Sequence, residues 1–158
     1  MNVPKLRFDG FSENWNNNKL GELFVLTSGT TPSRTNELFF KNGTNSWIKT
    51  LDLNNGVISN TQEKVTDLAL EKTSLKLLPI GTVLIAMYGG FNQIGRTGLL
   101  SIRAGVNQAL TALLPNENIA PFFLLSYLNY HVEDWKTVAA SSRKDPNITK
   151  NEVANFIS

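Results

Sequence analysis

The segment Gly81–Gly98, with the sequence GTVLIAMYGGFNQIGRTG, constrains the fold of this chain more than any other. It begins with a continuous apolar run, Thr82–Met87, which predicts a buried strand, and Leu99–Ile102 predicts a second strand that returns beside it. The loop between them contains Gly89, Gly90, Gly95 and Gly98. A rigid strand pair with such a tip can present side chains to a ligand. A long hairpin whose glycines only permit the turn is the alternative.

The tip of this predicted hairpin carries side chains suited to ligand binding. It combines two aromatic rings, two carboxamides and one guanidinium, from Tyr88, Phe91, Asn92, Gln93 and Arg96. The stretch Gly90–Thr97 approaches the phosphate-binding pattern G-x-x-x-x-G-K-S/T. That pattern needs a lysine and a following helix, whereas this chain has Arg96 and a predicted strand, so ATP binding is not expected.

Further loops offer hydroxyl and basic groups. Thr27–Arg34, TSGTTPSR, is almost entirely hydroxyl, glycine and proline, which suits phosphate oxygens but also fits an ordinary turn around Pro32. Lys49 follows a predicted strand at Trp47 and Ile48, where it can reach a phosphate or simply be solvated. A small polar loop, Ala139–Asn147, carries adjacent basic residues at Arg143 and Lys144.

Composition narrows the class of function. A length of 158 residues suits one domain, and a net charge of +2 permits nucleic-acid binding without requiring it. Because the chain has no cysteine and one histidine, disulfides and thiolate or histidine metal sites are not expected. No nucleophile–base pair and no cofactor fingerprint is apparent, so we expect a binding module without catalytic residues. No apolar span or signal peptide is seen, which predicts no membrane association and a cytoplasmic location.

Other segments predict regular elements around the hairpin. Thr66 can cap a helix over Asp67–Lys72, and Val106–Leu114 reads as one further strand. Apolar residues recur at helical spacing through Phe122–Trp135, which predicts one amphipathic helix. Thr149 and Glu152 form a capping-box pattern for a short helix near the end of the chain.

Taken in order, these segments resemble the target recognition domain of Type I restriction–modification specificity subunits. The resemblance covers almost the whole chain, and it depends on the ordered set of blocks rather than on any single one. The blocks are VPKLRF, KLGELF, SGTTPSR, WIKTLDL, VTDLAL, LPIGTVLIAMYGG with IGRTG, VNQALTAL, FFLLSYL and SSRKDPNIT. Together with the predicted elements it implies a mixed α/β (α+β) domain. This domain would have a compact, twisted, largely antiparallel sheet core, peripheral helices and long DNA-facing loops.

The resemblance also implies a role in a larger complex. Each such domain reads one half of a bipartite sequence in double-stranded DNA and has no catalysis of its own. Modification subunits methylate adenine, and restriction subunits of the same complex cleave DNA. S-adenosylmethionine, ATP and magnesium would belong to those partners, and no cofactor is expected here. We expect residues 1–158 to form a single recognition domain, the first of a subunit, without its spacer helix. It would be an excised domain, a truncated product or a half-subunit.

The same resemblance suggests how DNA would be read. We expect three loops, Thr27–Arg34, Tyr88–Arg96 and Ser141–Lys144, to converge on one face. Asn92 or Gln93 would contact adenine, and Arg96 a phosphate rather than a guanine edge. The predicted DNA-binding residues are Thr30, Thr31, Ser33, Arg34, Lys49, Tyr88, Phe91, Asn92, Gln93, Arg96, Ser141, Ser142, Arg143 and Lys144. The alternatives are a protein-interaction module without its own sequence readout, an RNA binder that stacks bases on aromatic rings and, last, an enzyme.

Overall fold

Eight strands and five α-helices form the domain in the computed structural model, which describes residue 9, residues 17–140 and residues 146–157. The strands are β1 (Leu26–Ser28), β2 (Asn45–Ile48), β3 (Gly56–Ile58), β4 (Lys64–Val65), β5 (Val83–Ala86), β6 (Thr97–Leu100), β7 (Gly105–Val106) and β8 (Leu110–Leu113). The helices are α1 (Leu20–Leu23), α2 (Asp67–Lys72), α3 (Pro121–Tyr130), α4 (Val132–Ala140) and α5 (Lys150–Asn155). Short 3-10 turns lie at Glu37–Phe39, Thr50–Asp52 and Phe91–Gln93.

The main sheet has five strands in the order β1-β8-β5-β6-β3. All its pairings are antiparallel except β3 with β6, so the predicted largely antiparallel sheet is confirmed. Side chains of β5 alternate between two apolar clusters. Val83 and Ile85 pack with the helices α3 and α4, whereas Leu84 and Ala86 pack towards the smaller sheet. Because both faces are covered, the continuous apolar run in β5 is explained.

The predicted hairpin is present as β5 and β6, with Leu84 opposite Gly98. The return strand begins at Thr97, so the prediction that Gly98 lies in the loop was wrong. A Cβ at position 98 would overlap Ile58 Cδ1 and approach Leu53 Cδ2 at 3.0 Å. Glycine therefore occurs here because the side chains of Ile58 and Leu53 occupy the space above this position, not because a turn needs it.

A smaller sheet has the order β4-β2-β7, with β2 and β7 parallel. The prediction of one strand over Val106–Leu114 was wrong, because this segment divides between the two sheets as β7 and β8. Asn107 Oδ1 accepts a hydrogen bond from Ala109 N at 3.2 Å and so closes a turn between them. The chain thereby crosses from the small sheet to the main sheet at residues 107–109.

The predicted amphipathic helix is interrupted at His131, where φ is −94° and ψ is 18°, so it forms α3 and α4. Its predicted apolar stripe nevertheless faces the core, since Leu124, Leu125, Leu128 and Trp135 are all buried. Beyond the break, the Trp135 ring stacks on Phe156 with centroids 4.0 Å apart. After the interruption at His131, α4 therefore packs against Phe156, the residue that follows α5.

Both predicted helix caps are confirmed. Thr66 accepts from Ala69 N at the start of α2, and Thr149 forms a reciprocal capping box with Glu152 at the start of α5. The two ends of the described chain also meet. Lys19 forms an antiparallel bridge with Ile157, and Leu20 N donates to Phe156 O at 2.9 Å.

Candidate nucleic-acid interface

Strand directions in the main sheet bring several loops to one end of it. β1 and β5 both run antiparallel to β8, so their last residues, Ser28 and Ala86, lie at the same end. The segments that follow, residues 29–36 and 87–96, leave from there, and we call this side of the molecule the loop end. Both segments are bound to the turn at residues 107–109, through Thr31 Oγ1 to Gln108 Oε1 and through Met87 N to Ala109 O at 2.8 Å.

Two more segments reach the loop end. Residues 49–55 lead into β3, which runs parallel to β6, and Asn55 N donates to Thr97 O at 2.9 Å. Residues 146–148 lie beside β5, because Ile148 N donates to Met87 O at 2.9 Å. Of the three predicted loops, the structure thus brings two together. The third, with Ser141, Ser142, Arg143 and Lys144, lies outside the described residues, and its role stays a prediction.

A cleft of about 480 Å³ opens at the loop end. It is lined by Tyr88, Gly89, Gly90, Phe91, Pro146 and Asn147. Tyr88 and Phe91 are 38% and 45% exposed, which leaves apolar surface at the cleft accessible to a partner. Partial burial raises the pKa of Tyr88, so its hydroxyl ionises less readily than that of a fully exposed tyrosine. Asn92, on the 3-10 turn beside the cleft, is exposed as a DNA-reading side chain would need to be.

Arg96 and Gln93 bind each other and the neighbouring segment. Arg96 Nη1 donates to Gln93 Oε1 at 2.6 Å, and Arg96 Nη2 donates to the carbonyl oxygen of Leu53. These bonds fix residues 89–96 against residues 49–55 and orient the loop tip. The assignment of both side chains to DNA contact stays a prediction.

The predicted hydroxyl residues also have partners within the chain. β1 includes Thr27 and Ser28, so the connecting segment is shorter than predicted. Within it, Thr30 Oγ1 lies 2.8 Å from Ser74 Oγ, and Ser33 Oγ lies 2.9 Å from Thr35 Oγ1. Thr31 binds Gln108, as described above. These hydrogen bonds hold the segment in one shape and leave its hydroxyls able to form additional contacts.

Glu63 forms ion pairs with two of the predicted DNA-binding residues, Arg34 and Lys49. Arg34 binds both carboxylate oxygens of Glu63, and Lys49 Nζ lies 2.5 Å from Glu63 Oε2. The hydrogen bond from Arg34 holds the pKa of Glu63 below its usual value, with a smaller contribution from Lys49, so the carboxylate is charged. The sequence does not reveal Glu63 as a site residue, because Glu63 is 29 residues from Arg34 and belongs to no local pattern. Only the pairing of β2 with β4 brings it there.

Leu51 is a further residue that no sequence pattern marked, and it is 75% exposed on the 3-10 turn Thr50–Asp52. This turn packs beside Gly89, since a Cβ built on Gly89 would be 3.3 Å from Thr50 Cγ2. The loop end therefore presents exposed apolar side chains from two segments. No cluster of three or more metal-ligating side chains occurs among the described residues. None of the helices they form has the length and hydrophobicity that a membrane span requires.

The fold brings segments from distant parts of the sequence, residues 29–36, 49–55 and 87–96, together at one end of the main sheet. The chain belongs to the Type I restriction modification DNA specificity domain family, whose model matches residues 12–157. The resemblance to a target recognition domain is thereby confirmed.

Two relatives from Escherichia coli agree with this assignment. The specificity subunit of the Type I restriction enzyme EcoR124I/EcoR124II is 29% identical over 114 residues, which is 72% of this chain and 27% of that protein. The EcoprrI specificity subunit is 29% identical over 125 residues, which is 78% of this chain and 29% of that protein. This chain thus spans less than a third of the length of these two relatives.

Solved structures share the fold. A chain from a study of complex assembly and conformational transition in the type I R-M system has a TM-score of 0.71 and 20% identity, over 96% of this chain and 36% of that one. The HsdS subunit from Thermoanaerobacter tengcongensis has a TM-score of 0.64 and 19% identity, over 96% and 34%. The S subunit from M. genitalium has a TM-score of 0.64 and 18% identity, over 98% and 36%. The predicted mixed α/β fold is confirmed.

Proposed function

We propose that this chain recognises one half of a bipartite sequence in double-stranded DNA, as the specificity component of a Type I restriction–modification complex. The observation that supports this most strongly is the loop end, where residues 29–36, 49–55 and 87–96 converge in a member of the DNA specificity family. Segments of this kind, held by a rigid sheet, can read base edges and contact phosphates on one stretch of duplex.

We assign different tasks to the segments of the loop end. Tyr88, Phe91 and Asn92 would approach bases, since their side chains are exposed beside the cleft. The segment with Thr30, Thr31 and Ser33 would contact the DNA backbone through hydroxyls and N–H groups, helped by Arg143 and Lys144. Arg96 and Gln93 would hold the tip in register through their own hydrogen bonds.

On this proposal the chain directs chemistry that other subunits perform. It would have no catalytic residues and no cofactor. Modification subunits would methylate adenine with S-adenosylmethionine, and restriction subunits, joined through the same complex, would cleave DNA with ATP and magnesium. Residues 1–158 would act as a single target recognition domain within that assembly.

The test is selection of randomised duplexes on the chain, alone and together with a modification subunit, with RNA as a control. Enrichment of a short half-site, and a changed half-site for Asn92→Ala, would support sequence recognition. Glu117→Ala is a matched surface control, because Glu117 follows β8 at the opposite end of the main sheet. Absence of any enriched sequence in the presence of the modification subunit would refute the proposal.

An exposed aromatic strip on α3 favours a second candidate, a protein-interaction module without its own readout. Phe122, Phe123 and Tyr130 all point outwards, and Tyr130 is 84% exposed. Surfaces of this kind commonly mark a protein partner. If Phe123→Ser and Tyr130→Ser abolish co-purification with a modification subunit while no DNA sequence is ever enriched, this second function would replace the first.

A further inference from the structure

Arg34 is held in place by two aromatic rings and one carboxylate. Its guanidinium lies over the rings of Phe40 and Trp47, with its central carbon 4.7 and 4.8 Å from their centroids. Nη1 and Nη2 donate to the two oxygens of Glu63, the second at 3.2 Å. Trp47 is 1% exposed and belongs to β2, so the surface beneath the guanidinium is rigid.

This arrangement is poorly suited to a phosphate contact. A phosphate attracts unneutralised positive charge, and a contact to it carries no sequence information. Here a single carboxylate faces both Arg34 and Lys49, so the cluster of three side chains has a net charge of only +1. The ring contacts and the paired bonds to Glu63 also fix the plane of the guanidinium.

A fixed plane with donors to spare is what base recognition needs. A guanidinium has five N–H donors in a flat fork, and Glu63 takes two of them. Among the described residues, Glu63 is the hydrogen-bond partner that the structure gives to Arg34. The Nε–H and the second Nη2–H lie on the neighbouring edge of the fork, at a spacing that matches O6 and N7 of guanine.

Arg34 is also accessible to a partner. Its side chain is 51% exposed, and it lines a cleft of about 380 Å³ with Glu37, Phe40 and Lys41. The cleft is formed by the segment between β1 and β2, and Lys49, which shares Glu63, follows β2.

We propose that Arg34 reads a guanine from the major groove, with Glu63 and the Trp47 ring as the positioning residues that hold its plane. The inference rests on the proposed function and changes the expected role of Arg34, from support of the DNA backbone to direct readout. Glu63 has a second effect, since it lowers the attraction of the cluster for DNA of any sequence.

The experiment compares duplex selection by the wild-type chain with selection by Arg34→Lys, and uses Arg103→Lys as the matched control. Arg103 is exposed and follows β6, at the end of the sheet opposite the loop end. For Arg34→Lys we expect the preference for guanine at one position to fall by about 5- to 150-fold, with the slope of affinity against salt unchanged. Arg103→Lys should select the wild-type sequence.

A chemical substitution identifies the contact itself. Replacing that guanine by 7-deazaguanine removes the N7 acceptor, so it should weaken binding of the wild-type chain and leave Arg34→Lys unaffected. If Arg34→Lys is thermally destabilised, Glu63→Gln replaces it in the comparison. Glu63→Gln keeps Arg34 but removes the carboxylate that fixes the plane of its guanidinium. The preference for guanine should therefore fall, while the affinity for unrelated duplex should rise.

The outcomes distinguish a failure of the proposed function from a failure of the proposed role of Arg34. If the wild-type chain selects no sequence in the presence of a modification subunit, the proposed function fails. If it selects a sequence that Arg34→Lys retains at every position, or if 7-deazaguanine weakens both proteins equally, the role of Arg34 is overturned and the proposed function remains.

Discussion

Replacement of Gly29 by alanine tests the close approach of the two sheets at the loop end. Gly29 follows β1, and a Cβ built on it would overlap the carbonyl group of Val106 in β7 and lie 2.5 Å from Asn107 O. These neighbours are main-chain atoms, so they cannot move aside as the end of a flexible side chain would. Thr30 N donates to Val106 O at 2.9 Å at the same point, and this bond would be broken if the two segments separated.

The expected loss in the free energy of unfolding has two contributions, overpacking and the broken hydrogen bond. Overpacking of a filled interior costs about 1–3 kcal/mol. The loss of one main-chain hydrogen bond adds about 1 kcal/mol. We therefore expect Gly29→Ala to lower the free energy of unfolding by about 2–4 kcal/mol, a large part of the roughly 5–15 kcal/mol that a domain of this kind has.

Urea denaturation followed by circular dichroism measures the effect. With a denaturant slope of about 2 kcal/mol/M, the midpoint should fall by about 1–2 M. Gly56→Ala is the control, because the nearest atom to a Cβ there is Asn54 Oδ1 at an ordinary 3.4 Å, and its midpoint should move by less than about 0.25 M. If the two variants behave alike, the argument from close main-chain contact is refuted.

Three other substitutions address separate features of the structure. Thr149→Ala removes the capping box of α5 and should cost about 1 kcal/mol in thermal unfolding, and a loss below about 0.3 kcal/mol would contradict the cap. Arg96→Met leaves the carbonyl of Leu53 without its donor and should cost about 1–3 kcal/mol with no change in the salt dependence of DNA binding, whereas a flatter salt slope would place Arg96 at a phosphate. Glu63 has a lowered pKa in the folded chain, so its stabilising effect is present above its ordinary pKa and lost as pH falls through the folded value. Glu63→Gln should therefore lose less stability than wild type between about pH 5 and pH 3, and identical acid profiles would show that the cluster adds nothing.

The parts of the fold that the sequence predicted depend on short-range patterns. The apolar run in β5, the cap at Thr66 and the capping box at Thr149 each reflect interactions within a few residues. The division of Val106–Leu114 into two strands depends on which sheet each half joins, and the apolar pattern is the same in both. The buried residues keep their helical spacing across the interruption at His131, so the interruption cannot be predicted from that spacing.

The candidate site was predictable to a smaller extent. Loops rich in hydroxyl, aromatic and basic residues were recognisable, and the strand order explains why two of them meet. Whether a polar side chain is already engaged within the chain is a long-range property. Arg96 donates a hydrogen bond to Leu53, 43 residues away, and Arg34 donates to Glu63, 29 residues away. No local sequence pattern predicts either contact.

The bridge between Lys19 and Ile157 has a mechanical consequence. Since the backbone passes these two residues side by side, the bridge links the start of α1 to the segment after α5. A force that separates them would break this bridge and the hydrogen bond from Leu20 N to Phe156 O, neither of which involves β5 or β6. The strand pair that supports the loop end would therefore keep its pairing when this junction opens.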